Sequence, residues 1–334
     1  MTDGPRSIQS QAILEVSVVV PVYQGERTLE ALVSEIVPLA VCQKTPAGRD
    51  FRVSEVVLVY DGAVDGSAEV MRSIAARTPF VRVLWLSRNF GQHPATLAGM
   101  ASTVSDWVAT LDEDGQQDPR DIGRLLDEAV ANGAQLVYAQ PTNEPPQGWL
   151  RNRFSALVKW IYVRALGGRG LGAFNSFRLV RGEIARGVAA YCGANVYLDV
   201  ALSWVVAGAR HCPVALRNER RKSGYSLRRL ATHFWQLVLT SGTRPLRLIA
   251  LLGLSAMVFG IGISALVVWK KLAHQIPVAG WTSMVIVVCF FAGLILISLG
   301  IIAEYLGVAV SMAMGKPPYL IVSGVAGGEN HRRP

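Results

Sequence analysis

The chain has 334 residues, 51% of them apolar, and carries a formal net charge of +9. That length leaves room for roughly two domains. The four cysteines (42, 192, 212 and 289) have no metal-site spacing, which excludes a zinc module and marks them as reduced structural thiols. Most of the positive charge lies between Arg217 and Arg247, where eight Arg or Lys side chains face a single acid, Glu219. This cluster sits directly before an uncharged apolar run, so anionic lipid head groups suit it better than nucleic acid.

Residues 1–15 are polar and hold no hydrophobic leader, so the part that follows is expected to stay in the cytoplasm. Val16–Val22 is a short β-rich run ended by Tyr23-Gln-Gly-Glu26, and a helix is predicted from about Thr28 to Leu39. Glu55–Tyr60 is a second strand, and Asp61-Gly-Ala-Val-Asp-Gly-Ser67 turns into a helix near Ala68–Arg77. Val81–Leu86 is a third strand. Ser87–His93 then loops into a helix from Pro94 to about Thr103, and Trp107–Leu111 is the next strand. A helix over Asp121–Ala131 and a strand over Gln135–Ala139 complete a regular βαβα alternation. That pattern predicts an α/β domain with a mostly parallel sheet, whose ligands bind beyond the carboxyl ends of the strands. Tyr23–Glu26, Asp61–Ser67, Arg88–His93 and Asp112–Asp118 all fall there.

The stretch that organises the rest is Val108–Pro119. Its apolar start reads as a buried strand, and Asp112, Asp114 and Gln116 then follow at alternate positions. At a strand end, residues two apart point the same way, so these oxygens could face one point. Oxygen ligands so grouped suit a hard divalent cation that clamps a diphosphate. A dinucleotide fold would want Gly-x-Gly-x-x-Gly after the first strand, where Pro21-Val-Tyr-Gln-Gly stands instead. Gly167–Gly172 follows a helical run and reads as a loop, and the chain has no P-loop.

Past residue 140 the pattern changes. Trp149–Leu166 reads as an amphipathic helix with Arg151 and Arg153, Asn175–Val180 as a strand, Val196–Ala207 as a helix and His211–Leu216 as a strand. Ser226–Ser241 places Leu227, Leu230, Phe234 and Val238 at helical spacing, as a core-facing or interfacial helix would, and adjacency to the apolar run favours the interface. Leu248–Trp269 and Trp281–Ala303 are free of charge, and each would span about 33 Å as a helix.

With these residues in view, the chain resembles family 2 glycosyltransferases of the polyprenyl-phosphate type, relatives of dolichyl-phosphate mannose synthase and bactoprenol glucosyltransferase. The markers are Val20–Tyr23, Asp61-Gly with Asp65-Gly-Ser, Ser87–Gly91, Leu111–Pro119, Phe177–Leu179, Ser223–Leu227, Arg244–Leu248, Glu304–Gly307 and Pro317–Tyr319, in this order. The resemblance implies a GT-A (Rossmann-like) domain over residues 16–225, an amphipathic juxtamembrane helix over 226–245, two transmembrane helices within 246–310 and a cytoplasmic tail over 311–334. It also implies a nucleotide-diphospho-sugar donor, Mg²⁺ or Mn²⁺, and a polyprenyl phosphate acceptor at the bacterial inner membrane. Self-association is left open.

By position, Pro21, Tyr23, Glu26, Asp61 and Arg88 would hold the donor. Asp112 would lie near its sugar, Asp114 and Gln116 on the metal, and Arg153, Arg178 and Arg220 or Arg221 on the acceptor phosphate. Asp112, Asp114 and Arg178 are the expected catalytic set. The chain departs from the family at Tyr60, where an acid is common, at Tyr23-Gln-Gly-Glu26, where the acid is shifted by one, and at Ser176, where an acid often precedes Phe-Arg-Leu. The Gln-x-x-Arg-Trp signature of processive synthases is absent, which favours transfer of a single sugar. Another lipid acceptor, such as diacylglycerol, and a non-catalytic nucleotide-sugar-binding scaffold remain as alternatives.

Overall fold

The computed structural model describes residues 13–143, 174–194, 196–217, 244–272 and 280–324. The helices expected over Trp149–Leu166 and Ser226–Ser241, with Arg153, Arg220 and Arg221, lie outside the described residues. The chain divides into two compact units. One comprises Met1–Ser155, Gly170–Gly224 and Pro317–Pro334; the other comprises Ala156–Arg169 and Tyr225–Lys316.

The first unit is built on one mixed sheet. Among the described residues its strands are β1 (Leu14–Val22), β2 (Gln43–Lys44), β3 (Asp50–Tyr60), β4 (Val81–Leu86), β5 (Trp107–Thr110), β6 (Leu136–Pro141), β7 (Arg178–Arg181), β8 (Arg210–Val214) and β9 (Ile321–Val322). They lie in the order β8-β6-β7-β5-β1-β3-β4-β9, with β2 paired to β3. β4, β3, β1 and β5 are parallel neighbours, as the βαβα alternation predicts. β7 enters antiparallel between β5 and β6, and β9 antiparallel on β4.

The helices are α1 (Leu29–Ile36), α2 (Ser67–Arg77), α3 (Gln92–Ala101), α4 (Ile122–Asn132), α5 (Gly182–Tyr191) and α6 (Leu198–Val205). Strand alternation sorts the core into two layers. Val16, Val18, Val20, Val56 and Leu58 pack with Leu29, Met71, Ile122 and Leu125 of α1, α2 and α4. Val19, Val57 and Val59 pack with Leu97, Val188 and Leu198 of α3, α5 and α6. The β1–β3–β4 run builds the sheet one way, and β5 returns to the other side of β1. That reversal opens a crevice at the carboxyl ends of β1 and β5.

Several expectations are corrected here. α1 stops at Ile36 and tightens into a 3-10 turn over Val37–Ala40, where Pro38 removes a helix donor. The third helix starts at Gln92 rather than Pro94, since proline is tolerated in a first turn. β2, β9 and α5 were not foreseen. The first two are two residues long, and α5 lies in a stretch read only for its Phe-Arg-Leu strand. α5 begins at Gly182, whose N–H donates to Asp106 O (2.6 Å) and whose missing Cβ would stand 2.1 Å from Ser105 O.

The second unit contains α7 (Arg244–Leu272) and α8 (Trp281–Ala313). Both apolar runs are therefore helical. Among the described residues, Phe290–Ala313 is long and apolar enough to cross a membrane, with a mean hydropathy of 2.1. Its large side chains, including Phe290, Leu296 and Ile297, are exposed, as a lipid-facing helix requires.

Gly182→Ala should destabilise the first unit by about 1–3 kcal/mol, because the new methyl must displace β5-side backbone rather than a pliable side chain. Denaturant unfolding of the detergent-solubilised chain measures it; wild-type stability would show that Ser105 yields freely.

Candidate active site

The crevice is assembled by carboxylates that hold neighbouring loops through their backbone N–H groups. The loop after β1 is held by Glu113, which accepts from Tyr23 N and Gln24 N (both 2.9 Å). Gly25 N donates to Ser67 Oγ (2.9 Å), and Gly66 N donates to Glu26 Oε2 (3.1 Å). Asp61, at the end of β3, is 3% exposed and accepts from Phe90 N and Gly91 N (2.7 and 2.8 Å). Burial pushes its carboxyl above the ordinary range, and the two N–H groups pull it back. Two expected donor-side residues, Glu26 and Asp61, therefore also pin the site's own loops. Pro21 is buried, Tyr23 is exposed beside it, and Arg88 is exposed with its guanidinium 4.7 Å from the Phe90 ring centre.

The Asp112–Asp118 stretch is not an extended strand end. β5 stops at Thr110, and the chain turns through Gly115 at φ +72°, a left-handed conformation that favours glycine. The alternate-residue argument for convergence is thus replaced by a turn, in which Gln116 N donates to Asp114 Oδ1 (3.1 Å). Asp112 is enclosed by polar side chains. Gln92 Nε2 donates to one of its oxygens (2.6 Å), and Gln117 Nε2 (3.0 Å) and Ser176 Oγ donate to the other. Burial and the neighbouring Asp114 charge raise its carboxyl to about 6, against the hydrogen bonds from Ser176 and Gln117 and the Arg178 charge.

Ser176 reaches Asp112 because of strand register. β5 and β7 are antiparallel with Thr110 opposite Arg178, so two residues further on Asp112 stands opposite Ser176. The same pairing buries Arg178. Its guanidinium forms an ion pair with Asp199 of α6, both side chains being less than 5% exposed, and Tyr138 Oη donates to Asp199 Oδ1 (2.9 Å). Arg178 thus acts on Asp112 as a nearby fixed positive charge rather than as an exposed arm.

The far rim carries Arg217, just past β8. Its backbone N–H donates to Gln116 O (2.9 Å), and its guanidinium bridges Glu35 and Asp118. Burial raises the Asp118 carboxyl, but hydrogen bonds from Arg120 and Arg217 outweigh it and hold the group at about 2. Asn143 and Leu216 exchange two hydrogen bonds (2.6 and 3.0 Å).

Among the described residues no cluster of three His, Cys, Asp or Glu forms a ready-made metal cage. Asp114 and Gln116 offer a partial oxygen set, with one Asp114 oxygen engaged by a backbone N–H. Such a set fits Mg²⁺ or Mn²⁺ that completes its shell with substrate phosphates and water. Glu113, Gln92, Gln117 and Asp199 were missed as site residues. Glu113 and Gln117 lie inside the Leu111–Pro119 motif and were signalled only by it; Gln92 and Asp199 act across elements that sequence does not pair.

The sequence profile of Glycosyl transferase family 2 matches residues 17–186. The chain belongs to that family and is a glycosyltransferase. An undecaprenyl-phosphate 4-deoxy-4-formamido-L-arabinose transferase of Enterobacter sp. (strain 638) is 30% identical over 95% of this chain and 96% of its own. One from Pseudomonas paraeruginosa (strain DSM 24068 / PA7) is 33% identical over 92% and 89%. Among solved structures, mannosyl-3-phosphoglycerate synthase from Rubrobacter xylanophilus overlays with a TM-score of 0.49 at 16% identity, covering 69% of this chain and 74% of that one. Glucosyl-3-phosphoglycerate synthase from Mycobacterium tuberculosis with Mn²⁺ and UDP-glucose gives 0.48 at 19%, covering 69% and 79%.

Glu113→Gln leaves one acceptor oxygen where two served Tyr23 and Gln24. It should cost about 1–2 kcal/mol and speed amide hydrogen exchange at those two residues. Unchanged exchange would show that Glu113 does not organise the loop.

Proposed function

We propose that this glycosyltransferase is an inverting enzyme of the bacterial inner membrane that moves one sugar from a nucleotide-diphospho-sugar to a polyprenyl phosphate at the cytoplasmic face. The observation that carries the reading is that Asp112, Asp114 and Gln116 lie on one loop just past β5, where Glu113 also holds the loop after β1. The chain that bears them aligns almost end to end with undecaprenyl-phosphate sugar transferases.

In this reading the loops after β1, β3 and β4 cradle the nucleoside and diphosphate through Pro21, Tyr23, Glu26, Asp61 and Arg88. Asp112, steadied by Gln92, Gln117 and Ser176, orients the sugar. Asp114 and Gln116 would hold Mg²⁺ or Mn²⁺, which when bound offsets the negative charge developing on the departing diphosphate. An acceptor phosphate oxygen attacks the anomeric carbon from the opposite face as the nucleoside diphosphate leaves, so the configuration inverts. A phosphate monoester has its second pKa near 6 and is mostly dianionic at neutral pH. Proton removal then offers little advantage, and Ser176 in place of an acid fits a site without a dedicated base. Two anions must instead be aligned against their repulsion. Arg178 would contribute its buried charge, and Arg153 with Arg220 or Arg221 would meet the phosphate directly.

Parity supports a two-crossing topology. β4 precedes α7 and β9 follows α8, yet Trp85 pairs with Val322 and Leu86 with Ile321 in one sheet. If Phe290–Ala313 crosses the bilayer, a second crossing must return the chain, and α7, with 29 residues and about 44 Å of helix, can supply it. The basic cluster before α7 favours the cytoplasm for that side.

Asp114→Asn should lower the transfer rate at least ~10²-fold, comparable to losing one preorganised electrostatic contact. Radiolabelled sugar transfer to undecaprenyl phosphate measures it, and full wild-type activity in excess chelator would overturn the cation's role. A reporter joined after Gly315 should read as cytoplasmic; a periplasmic signal would refute the two-crossing topology.

A further inference from the structure

The turn that bears Asp114 and Gln116 is held from both sides. Gln116 gives its N–H to Asp114 and its carbonyl to the N–H of Arg217, so both its backbone groups are engaged within the described fold. Two residues on, Asp118 begins the 3-10 turn over Pro119–Asp121 and accepts from Arg120 N (3.0 Å). The Arg217 guanidinium reaches Asp118 Oδ2 with Nη2 (2.9 Å) and both Glu35 oxygens with Nη1 (2.9 and 2.8 Å). The fork therefore joins three elements: α1, the acidic loop and the chain just past β8. A planar guanidinium can span two carboxylates at fixed angles, whereas an ammonium cannot hold both in one geometry. The arginine is only partly exposed, which limits solvent screening of the pairs.

We propose that Arg217 is a positioning residue for the donor-bound cation: its fork on Asp118 and Glu35, with its N–H on Gln116, holds the turn so that Asp114 and Gln116 present their oxygens together. Arg217 itself touches neither ion nor substrate. This assigns the first arginine of the basic cluster to the donor side of the site, apart from the lipid-facing task proposed for Arg220 and Arg221. The inference rests on the reading of the Asp112–Asp118 loop as a cation and diphosphate site.

The test uses the full chain in detergent. Mn²⁺ binding is read from loss of the free-ion electron paramagnetic resonance signal, with UDP and separately GDP present. Arg217→Gln should weaken nucleotide-dependent Mn²⁺ binding about tenfold, the scale of losing a group that orients metal ligands. Arg217→Lys should fall between the two. In transfer assays, extra Mn²⁺ should restore most of the Arg217→Gln rate while KM for undecaprenyl phosphate stays unchanged. A merely structural role would lower thermal stability without moving the Mn²⁺ midpoint, and that result overturns the proposal. So would a raised KM for undecaprenyl phosphate at an unchanged midpoint, which would place Arg217 on the acceptor. If wild-type protein retains no Mn²⁺ with either nucleotide, the cation-site reading fails and this inference falls with it. Should Arg217→Gln not fold, Glu35→Gln releases one arm of the fork and should give a smaller shift in the same direction; an unshifted midpoint there also overturns the proposal.

Discussion

Loops that leave the carboxyl ends of parallel strands carry backbone N–H groups without ladder partners, and this fold satisfies many of them with carboxylates from neighbouring loops. Glu113 serves the loop after β1, Glu26 the turn before α2, and Asp61 the loop after β4. A buried or half-buried N–H left unpaired costs about as much as a lost hydrogen bond. The acidic residues therefore fix the loops against one another before any ligand arrives. Such preorganisation is what a site needs if its dipoles are to stabilise developing charge without rearranging. It also explains why so many acids can gather in one crevice: most are occupied with N–H donors or arginines, and among the described residues one Asp114 oxygen is engaged, by Gln116 N.

A second layer of control comes from beneath. The antiparallel β7 slots between β5 and β6; Ser176, just before it, bonds Asp112, and Arg178, its first residue, adds a nearby charge. Arg178 is tolerated in the interior because Asp199 neutralises it, and Tyr138 donates a further hydrogen bond to Asp199. Removing one member of such a buried pair typically costs 3–5 kcal/mol, since the other charge is stranded. Its charge and the Ser176 hydroxyl favour the ionised form of Asp112, while burial and Asp114 oppose it. The balance leaves that carboxyl responsive to any added positive charge in the crevice.

The strand that follows the long apolar helix joins the sheet of the first unit. β9 covers the edge of β4, and Leu320 O accepts from Ser87 N (3.0 Å), the first residue of the loop that supplies Phe90, Gly91 and Gln92 to the site. An exposed strand edge invites unwanted pairing. Here the segment after the apolar helix covers it and adds a contact to the loop after β4.

Local sequence determined the parallel half of this protein, because hydrophobic alternation, glycine-rich turns and helical spacing are all short-range signals. β1, β3, β4 and β5, their connecting helices and the placement of every acidic loop at the carboxyl edge followed from them. So did the family, from motifs kept in order along the chain. What only the tertiary structure decided is which side chains meet across elements. Ser176 reaches Asp112 through an antiparallel register, Arg178 is buried by an aspartate on α6, and Arg217 grips α1 from 182 positions away in sequence. Those contacts depend on strand order and register, which no residue pattern within β7 or β8 specifies. The turn at Gly115 likewise replaced an expected strand end, since a glycine's left-handed conformation depends on the partners that fold around it.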